Sequence, residues 1–523
     1  VTSRVLAIGL DGWECSLGET LMAAGELPHL ARVRERSARF LLDHGAAQRT
    51  GLAWEHVSTG RAPDAARRWS AVHFDPETYE AWQEGTSLEP FAARLDAPTV
   101  VFDPPYFALD RAPAVRGIVN WGAHDPGVPR DARPRALLDE LDSRFGPYPG
   151  RGWIYGIVWA SAARARAMGE ALVRATDARA EIATWLLRDR VPDWRFALVV
   201  AGELHSAIEG LWHGIDPAHP LAALPSARPA AEGLRAVYRA TDRLVGALAD
   251  AFADATIVVF AMGGMGPNRS DVPSMVLLPE LLHRHAFGRP LLRQPESWTP
   301  DALPMLGEDE EWAAAVNAHV APQPTWTDTV RTAAARFLPR APAPPRRTIP
   351  WMPASHYQPW WHATRAFALP SFYDGRIRVN LAGRERAGTV PLAGYAATCD
   401  EVEALVRACR DVATGAPVVD HVERTGGPHP ERLGPSESDL VVVWQGASLA
   451  FDHPTLGRIG PVPWRRPGGH TGPFGMAWVR GDGLAPRDGG VRSSFDVVPT
   501  IVGLLGERVP PGVSGTSLLA RSR

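Results

Sequence analysis

Short apolar runs, each closed by a polar or glycine-containing turn, recur along the chain. They are Arg4–Leu10 (RVLAIGL), Phe196–Ala201 (FALVVA), Thr256–Phe260 (TIVVF) and Leu440–Trp444 (LVVVW). Runs of this length without polar alternation fit strands of a mostly parallel sheet covered on both faces. Helical periodicity lies between them. In Leu234–Leu248 the apolar residues Leu234, Val237, Tyr238, Leu244, Val245 and Leu248 share one helical face. Strands alternating with helices predict an α/β fold, a mostly parallel sheet flanked by helices. Reactive groups in such sheets gather at the carboxyl ends of the strands. Asp11, Glu203, His205 and Met262 each follow a predicted strand, which makes them candidates for a shared pocket.

The chain reads as one domain, 1–523, elaborated twice. Segment 61–193 is irregular and rich in Pro, Arg and aromatic residues, as expected of a cap-like insertion. Segment 286–360 reads as a second insertion, with a Pro-rich crossing linker at Leu338–Pro350 (LPRAPAPPRRTIP). No internal repeat is visible.

Composition narrows the chemistry. Apolar residues make up 45% of the 523 positions, enough for a full core, and the net charge of −3 gives no field that would draw the chain to nucleic acid. The chain contains no lysine, so Schiff-base, general-base and phosphate-loop lysines are excluded. An anion clamp must use Arg, His, backbone N–H groups or a metal. The three cysteines, Cys15, Cys399 and Cys409, form no CxxC motif and predict neither a disulfide framework nor a thiolate zinc site. No apolar run approaches the roughly 20 residues of a membrane span. The opening VTSRVLAIGL reads as a strand, not a signal peptide, which makes a cytoplasmic protein the expectation. Oligomeric state is not legible.

Five segments carry a family resemblance in the expected order. Leu6–Gly12 followed by Ala24–Leu30 (AGELPHL), Thr50–Gly60 (TGLAWEHVSTG), Arg376–Val390 (RIRVNLAGRERAGTV), Gly469–His470, and Asp496–Leu519 (DVVPTIVGLLGERVPPGVSGTSLL) together resemble the type I phosphodiesterase/nucleotide pyrophosphatase branch of the alkaline phosphatase superfamily. The resemblance implies an alkaline-phosphatase-like fold and hydrolysis or transfer at a phosphate or sulfate ester of a small molecule. It also implies two divalent metals, usually zinc. Residue by residue it carries over Asp11 as a metal ligand, Thr50 as the nucleophile and His470 as a late ligand. The plainer alternatives are a turn aspartate, a capping hydroxyl and a loop histidine.

The chain departs from that pattern where the family has Asp-His-Gly-Met, since here the stretch is Ala261-Met262-Gly263-Gly264-Met265. Neither Met262 nor Gly263 replaces a carboxylate or an imidazole on zinc. One of the two metal sites is therefore expected to be weak. The other matches His205, Glu209 and His470. Because His205 and Glu209 are spaced i,i+4, they share a face if their segment is helical. Two imidazoles and a carboxylate suit zinc with open positions, and also manganese or a non-haem iron. The bland alternative is a surface pair. Glu203 is a candidate general base or reserve ligand, and His213 lies too far along the helix to share the ion. His124, Asp125, Asn268 and Arg269 are possible pocket residues, and the aromatic His356–His362 stretch is read as packing as readily as binding.

Three functions stay open: a metal-dependent phosphate- or sulfate-ester enzyme, a non-hydrolytic metal enzyme on the same scaffold, and a catalytically silent binding protein.

Overall fold

The computed structural model describes residues 4–122, 129–155, 157–299, 304–320 and 347–520. His124, Asp125 and most of the Pro-rich run lie outside them. The chain divides into two compact units. One comprises Val1–Ala71, Glu84–Asn268 and Arg466–Arg523, and the other Val72–Gln83 and Arg269–Arg465.

The first unit is built on nine strands: β1 Val5–Leu10, β2 Ala38–Asp43, β3 Thr99–Phe102, β4 Arg116–Val119, β5 Asp131–Arg133, β6 Phe196–Ala201, β7 Thr256–Ala261, β8 Gly475–Arg480 and β9 Arg487–Ser493. Their order is β9-β2-β8-β7-β1-β6-β3-β4-β5. The run from β7 through β4 is parallel throughout. Antiparallel β8 joins β7 to β2, and antiparallel β5 closes the far edge. The fold class is thus the mostly parallel α/β sheet that the apolar runs indicate. All six residues of β1 and all six of β6 are buried, as expected for central strands covered on both faces.

Segment 61–193 supplies β3, β4 and β5 to this sheet, together with the helix α1 Ala162–Trp185. The four-residue run TVVF of β3 sits between Pro98 and Pro104, which disguises it as irregular chain. Helix α1 packs with α2 Glu203–Leu211 and α3 Ala227–Ala251 around a core that includes Leu172, Ala207 and Leu234.

The second unit has its own antiparallel sheet of Ala366–Leu369, Gly375–Val379, Leu440–Trp444 and Val419–Arg424, in that order. Leu440–Trp444 is therefore a strand as expected, but not one of the parallel sheet. Its continuous apolar run reports burial on two faces and says nothing of direction. The Arg376–Val390 stretch is also structural here. Arg378 donates to Glu385 at 2.7 Å, and Arg384 to Asp439 at 2.7 Å. The His356–His362 stretch lies in this unit on a 3₁₀ helix, where Trp361 stacks on Phe367 at 4.8 Å. Among the described residues no helix is long and apolar enough to cross a membrane.

Candidate metal centre

At the carboxyl edge of the first unit's sheet, β1 and β6 end in register, and the amide of Asp11 donates to the carbonyl of Ala201 at 2.9 Å. The chain leaves β6 through Gly202 and enters α2 at once, with Glu203 in the first turn, where the helix dipole favours a carboxylate. Two glycines let neighbouring backbone close on this helix. A Cβ on Gly12, which sits at φ +81°, would lie 2.3 Å from the His205 backbone. A Cβ on Gly468 would lie 2.1 Å from the carbonyl of Ile208. Gly12 thus brings Asp11 to one side of α2. Gly468 brings in the two-stranded ribbon of Gly264–Pro267 and Gly468–Gly472, which carries His470.

His205, Glu209 and His470 converge there. His205 Nε2 is 3.0 Å from Glu209 Oε1 and 3.0 Å from His470 Nε2. One ligand atom from each lies within 4.8 Å of the others, the one such His/Cys/Asp/Glu group among the described residues. The i,i+4 pair is on one helical face, as its spacing requires. Asp11 stands to the side, with Oδ2 at 3.4 Å from Nδ1 of His205. The guanidinium of Arg466, which the sequence reading overlooked, donates to Glu209 Oε1. It lies four residues before His470 in a loop without periodicity, so no local pattern marks it.

The charges are tightly coupled. Burial favours a neutral His205 ring, but the Glu209 and Asp11 carboxylates outweigh it and push its pKa up to about 9. Burial, then the neighbouring His205, pull His470 down to about 3. Burial opposes a charged Glu209, yet Arg466 and His205 hold its carboxyl well below the usual range.

The donor set fits a divalent cation. Bonds of about 2.0–2.1 Å in a tetrahedron place neighbouring donors roughly 3.3 Å apart, close to the two spacings at His205 Nε2. With Asp11 Oδ2 3.4 Å from Nδ1, a cation at Nε2 would displace the proton there and leave the other on Nδ1. A cation at Glu209 Oε1 would share that oxygen with Arg466.

Other expected site residues lie elsewhere in their bonding. Thr50 is buried. Its hydroxyl donates to the Ala47 carbonyl at 2.7 Å and accepts from the Leu52 amide at 3.1 Å. Glu203 is outside the cluster. Arg179 donates to its two oxygens at 2.8–3.0 Å, and the Tyr148 hydroxyl donates to it at 3.2 Å. Arg179 also pairs with Asp103 at 2.9 Å, which completes a buried structural network. Met262 is buried, and beside Gly263 lies the Gln48 side chain, 3.5 Å from where a Cβ would be. Gln48, also unmarked in the sequence, donates to the carbonyls of Gly472 at 3.0 Å, His470 at 3.1 Å and Gly264 at 3.3 Å. His213 lies past the end of α2, on the 3₁₀ turn Trp212–Gly214, and is buried against the Ser226 hydroxyl at 3.0 Å. Asn268 donates to the Gly468 carbonyl at 3.2 Å, and Arg269 is an exposed residue of the second unit.

No protein-family model and no curated protein matches this sequence. Among solved structures the chain is similar to phosphonoacetate hydrolase from Sinorhizobium meliloti 1021 in complex with phosphonoformate, at 16% identity and a TM-score of 0.48 over 96% of each chain. It is also similar to murine ectonucleotide pyrophosphatase/phosphodiesterase 5, at 11% identity and a TM-score of 0.46 over 97% of this chain and 96% of that one.

Proposed function

We propose that this chain is a metal-dependent hydrolase or transferase acting on a phosphate- or sulfate-type ester of a small organic molecule. It uses one divalent cation, zinc in the first instance. The observation that carries this reading is the convergence of His205 Nε2, Glu209 Oε1 and His470 Nε2 at coordination spacing. The motif resemblance to the alkaline phosphatase superfamily supplies the reaction class. When bound, the cation would supply Lewis acidity to an ester oxygen.

The residues divide the remaining work. Asp11 fixes the tautomer of His205 instead of serving as a ligand. Arg466 keeps Glu209 ionised and offers a planar donor to an anionic ester. Thr50 is the proposed nucleophile: its oxygen would bond to the phosphorus or sulfur as the bond to the ester oxygen breaks, and the hydroxyl proton, now shared with the Ala47 carbonyl, would end on the departing oxygen. Glu203 is not the base in this scheme, because its carboxylate is saturated by Arg179 and Tyr148. Asp11 is the carboxylate that remains beside the cluster.

The test is elemental analysis of protein purified without added metal or chelator, for wild type and His205→Ala, with a phosphate- and sulfate-ester screen. About one zinc or manganese per chain, lost in the variant, is the expected result. One iron per chain would favour the non-hydrolytic reading, which the same two-imidazole, one-carboxylate donor set also suits. No metal after reconstitution would make a silent binding protein the better reading. Thr50→Ala is expected to abolish turnover with metal content unchanged, and full activity in that variant would rule out the covalent route.

A further inference from the structure

His470 is carried by a ribbon that does little to hold itself. Its strands, Gly264–Pro267 and Gly468–Gly472, read GMGP and GGHTG. Glycine loses more freedom on ordering than any other residue and has no side chain to pack. The ladder between the two strands also shifts register between Gly264 and Gly266. Side chains therefore tie the ends. At one end Asn268 donates to the Gly468 carbonyl at 3.2 Å, and Thr471 to the Pro267 carbonyl at 2.8 Å. At the other end, where Gly264 faces Gly472, the tie is Gln48.

Gln48 sits on the 3₁₀ turn Gly45–Thr50, two residues before Thr50. The carbonyls of Gly472, His470 and Gly264 converge on its Nε2 from both strands, at 3.0, 3.1 and 3.3 Å. An amide nitrogen has two protons, so the three acceptors share them. The same carbonyls fix which end of the amide is nitrogen, because a flipped amide would set oxygen against oxygen. The turn is closed on itself by the Thr50 hydroxyl, which donates to the carbonyl of Ala47, the residue before Gln48. One half-buried side chain thus joins the turn of the proposed nucleophile to the strand of a proposed metal ligand.

We propose that Gln48 is a positioning residue, which sets the His470 ring on the cation and holds Thr50 in reach of it. The proposal rests on the function read above. Its first test uses zinc alone, by chelating-dye competition on metal-stripped wild type, Gln48→Met, His470→Ala and the double variant. Methionine keeps the length of glutamine and removes both donors, and circular dichroism confirms that each variant is folded. Gln48→Met should weaken zinc binding about tenfold or more, as loss of an outer partner of a ligand does. In the His470→Ala background the backbone carbonyl stays and the ring is gone, so the same substitution should change zinc affinity little. The second test is turnover by zinc-saturated protein of the 4-nitrophenyl ester, whether phosphate, phosphodiester or sulfate, that wild type accepts. Gln48→Met should lower kcat about 10²-fold with KM little changed. Zinc binding in Gln48→Met equal to wild type would overturn the proposal and leave the functional reading standing. An equal loss in the His470→Ala background would also overturn it, since Gln48 would then not act through the ring. An unchanged kcat would overturn the link to Thr50. Wild type that binds no zinc would overturn the functional reading and this proposal together.

Discussion

The first unit holds two close imidazole pairs of nearly equal geometry and opposite electrostatics. His205 and His470 are 3.0 Å apart through their Nε2 atoms, and His44 and His56 are 3.1 Å apart, Nε2 to Nδ1. Beside His205 stand Glu209 and Asp11, which lift its pKa to about 9. Among the described residues no carboxylate accepts a hydrogen bond from the second pair. His44 shares its other nitrogen with the Ser494 hydroxyl and stacks on Phe495 at 5.1 Å. Burial lowers the His44 pKa to about 4, and burial followed by His44 takes His56 well below its ordinary value. Two close histidines are therefore not a site by themselves. The first pair adds a carboxylate at coordination distance, and the second is a hydrogen-bonded packing element.

The largest effect that would break this contrast is on metal content. Glu209→Gln should weaken metal binding by more than the roughly 10–100-fold that outer partners of a ligand contribute. His56→Ala should bind metal as wild type does, and competition with a chelating dye measures both. A next effect is on stability. His44→Leu leaves the Ser494 hydroxyl and His56 Nδ1 short of a partner, which should cost roughly 1–3 kcal/mol in urea unfolding at pH 7.5 with metal content intact. An unchanged midpoint would show that the second pair is not structural. The smallest effect is on pH dependence. His44 takes up its proton more readily unfolded, near 6.5, than folded, near 4. Its contribution is thus fully present above pH 6.5 and declines as pH falls toward 4. Melting temperature should drop across that window less steeply in His44→Leu than in wild type. Parallel slopes would mean that another group governs the acid limb.

Much of this was legible because it is local. The runs that form β1, β6 and β7 announce themselves by uninterrupted apolar character, and Asp11 stands out as a candidate ligand because it directly follows the first of them. The His205–Glu209 pair needs only helical spacing, so α2 presents both on one face. Glu203 and Glu209 show where this kind of reading stops. They are the same residue type on the same short helix; spacing pairs Glu209 with His205, but the sequence does not say which charged group each carboxylate meets. Arg179, 24 residues away, claims one as a buried structural anchor, and Arg466, 257 residues away, meets the other beside two imidazoles. Gln48 likewise reads as an unremarkable polar residue, until its amide is seen to tie the Gly264 turn to the His470 ribbon.

The sequence by itself thus determined the elements, the class of sheet, and which chemically capable side chains end near a strand terminus. Those follow from period, run length and spacing, which act over a few residues. Tertiary structure alone decided which carboxylate is neutralised and which imidazoles meet. Charge and coordination depend on groups brought within a few ångströms by chain closure, and distance along the chain carries almost no information about that.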